Sequence, residues 1–315
     1  MDSYDVVVIG GGAAGLNGAL MLARSRRSVV VIDAGAPRNA PAEGVHGLLG
    51  HDGIPPAELM ERGRAEVIRY GGHLVDGDVV AAVRDGDSFS VTLAAARVVR
   101  ARRLLVTTGL VDELPNVPGL RELWGHDVLH CPYCHGWEAR DKAIGVLATG
   151  PRAMHMAQLF HQLSDDVVFF SHTAPPSAEQ GEELAALGIS VVHGAVTALD
   201  IVNDRLAAIR LADGTAVSRD ALVVTPWMVA RASFLSDLDL HATTHPSGLG
   251  EHIPVDATGR TDVPGVWAAG NVTDIAAQVG ASAAAGAFAA AQINADLVAE
   301  DTRAAIDNHR KARCT

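Results

Sequence analysis

Residues 5–33 read DVVVIGGGAAGLNGALMLARSRRSVVVID. Asp5 to Ile9 is a continuous apolar run, the pattern of a strand buried on both faces. Gly10-Gly-Gly-Ala-Ala-Gly15 follows, then an Ala- and Leu-rich stretch that predicts a helix to about Arg24. Ser28 to Asp33 reads as a second buried strand. Strand, turn, helix and strand make a βαβ unit, which implies a parallel sheet. In Gly10-x-Gly12-x-x-Gly15 the first glycine serves a tight turn. The second lets the backbone approach a pyrophosphate, and the third lets helix and strand pack closely. The helix N-terminus would offer free N–H groups and positive dipole to that anion. Asp33 ends the second strand, where an acid bonds a ribose diol. The pattern predicts a dinucleotide site; a glycine turn used only for packing is the competing reading.

Working outward, residues 54–70 read as a helix and 73–106 as a β-meander ending in a buried strand, Leu104 to Thr107. Pro115, Pro118 and Gly119 give residues 110–120 the composition of a linker. A second βαβ unit begins near Lys142, with strand Ile144 to Ala148, helix Ala153 to Leu163 and strand Val167 to Phe170. Another meander covers about 189–224, and a long Ala-rich helix is expected from about Gln278 to Val298. Laid on the first unit, the second puts Ala148, Gly150 and Ala153 where Gly10, Gly12 and Gly15 stand. Ser171 falls on Asp33 at the same offset of 23.

The chain has 315 residues, 48% of them hydrophobic but only 4% aromatic, so two domains with Ala-, Val- and Leu-built cores are expected. Its 25 basic against 37 acidic residues, a formal charge of −12, argue against a nucleic-acid partner. With no signal-peptide pattern and no membrane-length apolar run, a cytoplasmic protein with no membrane partner is expected. Three cysteines, Cys131, Cys134 and Cys314, are too few for a secreted disulfide scaffold. Cys314, in a polar tail, reads as a free thiol.

Residues 130–138 read His-Cys-Pro-Tyr-Cys-His-Gly-Trp-Glu. Cysteines at this spacing can close a short disulfide and lower each other's pKa. His130 and His135 flank them and could stabilise a thiolate or carry its proton. A zinc site would need awkward local folding, since no second Cys or His pair has the finger spacing. A structural disulfide is the other competing reading. A catalytic pair, with no metal, is the reading preferred.

These motifs together resemble the low-molecular-weight thioredoxin reductase family along nearly the whole chain. That resemblance implies an α/β fold of two Rossmann-like dinucleotide-binding domains. An FAD domain (1–114 and 246–315) is split around an inserted NAD(P)-type domain (115–245) carrying Cys131 and Cys134. Thr261 to Asn271 (Thr-Asp-Val-Pro-Gly-Val-Trp-Ala-Ala-Gly-Asn) resembles the second FAD fingerprint of such flavoproteins, with Asn271 where an acid usually follows Gly270. The amide can still bond ribityl hydroxyls. The expected FAD contacts are Gly10, Gly12, Ala13, Ala14, Gly15, Asp33, Ala34, Asn39, Val79, Thr108, Gly109, Gly270, Asn271, Gln278 and Val279. An active homodimer is expected from the family alone.

Two departures from the family pattern bear on function. The family motif continues Cys-x-x-Cys-Asp, whereas His135 stands here. This looks more like the dithiol oxidase branch that closes disulfides in gliotoxin-like and holomycin-like natural products. By that resemblance Cys131 meets the substrate, Cys134 lies nearer the flavin, and His135, with His130 as a lesser candidate, is the acid–base group. Members that use NADPH carry His-Arg-Arg after the second unit's last strand; here Ser171-His172-Thr173-Ala174-Pro175 lacks the arginine pair that would hold a 2′-phosphate. Weak or absent NADPH binding is expected, unless NADH binds or an arginine arrives from elsewhere. A small-molecule dithiol would then reduce the pair, the pair FAD, and O2 would take the electrons as H2O2. An NAD(P)H-dependent disulfide reductase and a low-turnover flavin redox sensor are the alternatives.

Overall fold

Strand β1 (Asp2–Ile9), helix α1 (Ala13–Arg24) and strand β2 (Val29–Asp33) form the βαβ unit read from the sequence, in a computed structural model that describes residues 2–314 without the Cys314 side chain. The expectation of a free thiol at Cys314 therefore lies outside the described residues. The chain divides into two compact units. Residues 1–40, 56–111 and 228–315 form the first, and 41–55 and 112–227 the second.

In the first unit α2 (Pro56–Arg69) leads into β3 (His73–Asp76), β4 (Val79–Asp85), β5 (Ser88–Leu93) and β6 (Val98–Val106). The sheet runs β3-β2-β1-β6-β5-β4. The β3-β2-β1-β6 half is parallel, and β6-β5-β4 is antiparallel. β6 is long enough to be shared lengthwise on one edge. Its first half pairs with β5, while Leu104 to Val106 pair in parallel with the strand Val266–Ala268.

Because side chains alternate along a strand, β1 feeds two cores. Val7 and Ile9 pack with the β4–β5 meander and with Met228, Ala230, Phe234 and Leu235. Val6 and Val8 pack with Leu16 and Leu22 of α1 and with Ala289, Ile293 and Leu297 of the C-terminal helix Val279–Cys314. The first of these clusters explains one difference from the sequence reading. Residues 228–245, placed there in the insert, bury their apolar side chains in the first unit. The C-terminal helix also runs well past Val298. Apolar periodicity gives out there, but Arg102 and Arg103 of β6 hold Glu300, and Arg27 and Arg102 hold Asp301.

In the second unit the sheet contains β7 (Val128–Leu129), β8 (Ile144–Leu147), β9 (Val167–Phe170), β10 (Ser190–Val192) and β11 (Ala221–Val223), in the order β10-β9-β8-β11-β7 and parallel throughout. Helix α3 (Pro132–His135) is short; α4 (Arg152–His161) packs on one face. A three-stranded meander over 196–218 covers the other through Leu199, Leu206 and Ile209. The segment 41–55 belongs here and not with the FAD domain, as the sequence reading had it. It is a closed loop tied by backbone bonds between Val45 and Ile54 (2.8 Å) and between Gly53 and Val45 (2.8 Å). Among the described residues no helix is long and apolar enough to cross a membrane.

The C-terminal helix crosses α1 at glycine contacts. A Cβ on Gly286 would overlap the Ala14 carbonyl oxygen, and one on Gly18 would lie 3.0 Å from the Gly286 oxygen. Gly286→Val should therefore destabilise the protein by about 2–3 kcal/mol, as overpacking against backbone does. Urea unfolding followed by circular dichroism would measure it, and an unchanged midpoint would show that the two helices are free to separate.

Candidate active site

The glycine turn between β1 and α1 divides its labour as the motif requires. Gly10 has φ +104°, and a Cβ there would run into the Thr107 carbonyl oxygen. A Cβ on Gly15 would overlap the Gly10 carbonyl oxygen. Gly12, by contrast, has nothing within 4 Å of where its Cβ would stand, although its φ of −79° suits any residue. The tight positions shape the turn and the open one leaves a cradle at the helix N-terminus, where Ala13 and Ala14 begin α1. The Thr107 hydroxyl donates to the carbonyls of Ile9 (3.0 Å) and Gly10 (2.8 Å), fixing the turn to the end of β6.

Asp33 reaches back to this turn, accepting from the Gly11 N–H at 3.0 Å. Its other oxygen pairs with Arg64 of α2 at 2.6 Å, a partner the sequence reading missed because nothing in the spacing of α2 marks it. Ala34 and Asn39 follow on the loop after β2, and Val79 opens β4. Thr108 donates to the Arg231 carbonyl (2.7 Å), and the carbonyl of Gly109 accepts from the Arg231 N–H (3.2 Å). Gly270 sits against Ala14, where a Cβ would come within 2.8 Å of the Ala14 methyl. The Asn271 amide donates to the carbonyls of Asp274 (3.1 Å) and Ala277 (2.8 Å), so its N–H groups close their own loop and its oxygen is the atom left to accept. The helix after Gln278 starts at Val279. All of these positions belong to the first unit.

The matching turn of the second unit is built differently. Ala148 is buried and does not use the left-handed backbone that Gly10 adopts. Pro151 caps α4, so one N–H is missing from that helix start. The Ser171 hydroxyl accepts from the Gly194 N–H (3.3 Å), and His172 Nδ1 accepts from the Val196 N–H (3.0 Å). Both side chains are thus tied to backbone beyond β10, Ser171 to the loop and His172 to the first residue of the 196–218 meander. Arg152, exposed at the first position of α4, is the cation the turn itself supplies.

Cys131 and Cys134 form a disulfide with Cα atoms 5.3 Å apart. Cys131 caps α3, Pro132 takes its first position, where the missing N–H costs nothing, and Cys134 lies in the same turn. A Cβ on Gly136 would overlap the Pro132 carbonyl oxygen and press on Leu163, which accounts for the glycine after His135. Tyr133 and Trp137 stand exposed on either side of Cys134, Trp137 beneath the Arg140 guanidinium at 4.3 Å.

The two flanking histidines have different surroundings. His130 stacks on Trp124, ring centroids 5.5 Å apart. His135 is turned inward, and neither of its ring nitrogens has a hydrogen-bond partner. Burial pushes the His135 pKa down from its ordinary value, with the Glu138 carboxylate opposing and the nearby His46 and His126 adding to the effect. It is therefore neutral at pH 7 and able to accept a proton. His46, on the 41–55 loop, has Asp52 3.4 Å from Nδ1 and Glu138 3.6 Å from Nε2. The sequence reading missed this cluster, since one histidine in a loop carries no spacing signal. Among the described residues no group of three or more His, Cys, Asp or Glu side chains is arranged to hold a metal.

A parallel-sheet unit with an open pyrophosphate cradle and a unit carrying a Cys-x-x-Cys disulfide define a flavoprotein thiol–disulfide oxidoreductase. The chain belongs to the pyridine nucleotide-disulphide oxidoreductase family, whose model matches residues 4–291, and whose members are flavoproteins that use FAD. It is 33% identical over 318 residues to thioredoxin reductase tcpT of Claviceps purpurea (strain 20.1), covering 93% of this chain and 95% of that one. Among solved structures, HlmI matches with TM-score 0.93 and 44% identity, over 98% of this chain and 97% of that chain. An oxidoreductase from Agrobacterium tumefaciens matches with TM-score 0.88 and 35% identity, over 95% and 99% respectively. The thioredoxin reductase-like fold expected from the sequence is the fold found.

The residues of the first cradle fit FAD: the open space at Gly12 would take a pyrophosphate at the start of α1, and Asp33, bonded to the Gly11 N–H, would stand near a ribose. Gly12→Ala should fold normally, because its backbone suits alanine, yet put a methyl group in the cradle. FAD affinity of the apoprotein is expected to fall at least about tenfold, roughly 1.4 kcal/mol. Fluorescence titration would measure it; unchanged affinity would place the pyrophosphate elsewhere.

Proposed function

We propose that the protein is an FAD-dependent dithiol oxidase that closes an intramolecular disulfide in a small-molecule dithiol of the holomycin or gliotoxin kind and delivers the electrons to O2. The observation that carries this reading is the contrast between the two turns. The first keeps an open, glycine-built anion cradle. The second has Ala148, Pro151 and two side chains already committed to backbone, with no arginine pair after Ser171. A flavin served by a dithiol and poorly served by NADPH must pass its electrons to another acceptor, and O2 is the simplest.

The reaction begins with the Cys131–Cys134 disulfide. A substrate thiol loses its proton to neutral His135, and its thiolate attacks Cys131, releasing Cys134 as thiolate. The second substrate thiolate attacks the substrate sulfur of the mixed disulfide, closing the product and releasing Cys131. An FAD held at Gly12 and Asp33 would supply the two-electron acceptor for the reduced Cys131 and Cys134 and the outlet to O2, which would leave as H2O2. His130, stacked on Trp124, helps position the start of α3 in this scheme.

The name of the Claviceps purpurea relative, thioredoxin reductase tcpT, favours a second reading, a reductase that works in the opposite direction from NADPH. Purified protein given dithiothreitol in air, and separately NADPH with a protein disulfide, distinguishes the two. Oxygen uptake with the dithiol and negligible NADPH consumption are expected, and Cys134→Ser should abolish both dithiol-driven flavin reduction and oxygen uptake. Rapid flavin reduction by NADPH with sustained turnover would sink the oxidase.

A pH profile checks the proton acceptor. Since burial lowers the pKa of His135, its base form persists below the ordinary imidazole value of about 6.5, and the acid limb of dithiol-driven flavin reduction should lie beneath that pH. His135→Gln should slow the step about 10²-fold and remove the limb, a loss typical of a missing general base.

A further inference from the structure

Oxidising a dithiol releases two protons for each pair of electrons, and one neutral imidazole holds only one. The His135 ring nitrogens are buried and bond to no other side chain, so no second protein group shares the first proton with it. A second acceptor beside the same disulfide would let both protons leave the substrate without waiting for the first to escape.

An open cavity of about 530 Å³ lies against the Cys-x-x-Cys turn, lined by His46, Asp52, Tyr133, Trp137, Glu138 and Leu163. His46 comes from the loop 41–55, and the backbone fixes it there. The Asp52 carboxylate that faces Nδ1 also accepts from the Gly47 N–H at 3.0 Å, and Glu138, three residues beyond His135, faces Nε2. An imidazolium at this place has a carboxylate opposite each N–H. The His46 side chain is 27% exposed, open enough to exchange a proton with water and enclosed enough to keep its orientation.

We propose that His46, held between Asp52 and Glu138, is the second proton acceptor of the thiol–disulfide reaction, taking the proton of the substrate's second thiol while His135 holds that of the first. The inference rests on the dithiol reading of the site, but its chemistry belongs to the exchange step alone. Two substrate S–H bonds break and one substrate S–S bond forms. The Cys131–Cys134 bond breaks, its sulfurs take the electron pair as thiolates, and the two protons go to His135 and His46. The charges close as well. Two carboxylates and two neutral imidazoles carry −2 between them, and two added protons bring the group to zero. Other charged or titratable groups on the surrounding elements are His126, which acts on His135, His130 next to Cys131 and stacked on Trp124, Tyr133 on the cavity wall and Arg140, engaged over Trp137.

The test follows reduction of the disulfide itself, which occurs whichever way the enzyme works. Oxidised holoenzyme is mixed with dithiothreitol without oxygen from about pH 5.5 to about pH 9, across the imidazole range. It is then quenched with N-ethylmaleimide, and the masses of the cysteine peptide give the rate. His46→Gln should be roughly tenfold slower and recover with added imidazole, the expected behaviour of a missing proton acceptor. Glu138→Gln should move the acid limb to lower pH, because this carboxylate favours the proton on His135. An unchanged rate and profile for His46→Gln would overturn the proposal. So would a slower rate that ignores imidazole, the mark of a structural role. Oxygen uptake in parallel samples separates the two readings. Dependence on His46 without oxygen uptake leaves the proton acceptor standing and removes the oxidase; uptake without that dependence does the reverse.

Discussion

Three backbone approaches that exclude a Cβ govern the first unit. Gly15 presses on the Gly10 carbonyl, Gly10 on Thr107, and Gly286 on Ala14. Together they draw α1 onto β1, the turn onto the end of β6, and the C-terminal helix onto α1. Interiors are packed at crystal-like density, so a contact of this kind cannot loosen gradually. The open space at Gly12 has shape only because its neighbours are fixed in this way. The apolar side chains that surround it, such as Leu16, Leu22 and Ile293, supply most of the burial energy but little of the geometry.

The second unit repeats the plan without the constraint. Its strands β8 and β9 are as deeply buried as β1 and β2, and α4 packs as α1 does. What differs is confined to a few atoms at the turn: a methyl at Ala148, a missing N–H at Pro151, and Ser171 and His172 bonded to backbone beyond β10. Parallel-sheet burial and the make-up of the turn are thus separable. Hydrophobic packing preserves the unit although its turn is built from different groups.

The redox centre joins local and distant parts of the chain. Helix α3 sets the cysteine spacing by itself, through the Cys131 cap, Pro132 and the room left by Gly136. The electrostatic surroundings come from elsewhere. His135 is kept neutral by burial, while His46 arrives on a loop almost ninety residues earlier in the chain and is placed between Asp52 and Glu138. His46 adds to the lowering of the His135 proton affinity, and the Glu138 carboxylate opposes it.

The sequence by itself determined the two βαβ units, their glycine turns and the cysteine pair. Each is encoded over a few consecutive residues: strand burial in apolar runs, the turn in glycine spacing, the disulfide in a two-residue gap. It did not determine where residues 41–55 and 228–245 would pack, nor how far the last helix would run. Those outcomes depend on apolar contacts and ion pairs with partners far along the chain, such as Phe234 with the β4–β5 meander and Glu300 with Arg102. Nor could it distinguish His130 from His135, or find Arg64 and His46. Proton affinity and pairing follow from desolvation and from the charges that folding brings near, and sequence spacing records neither.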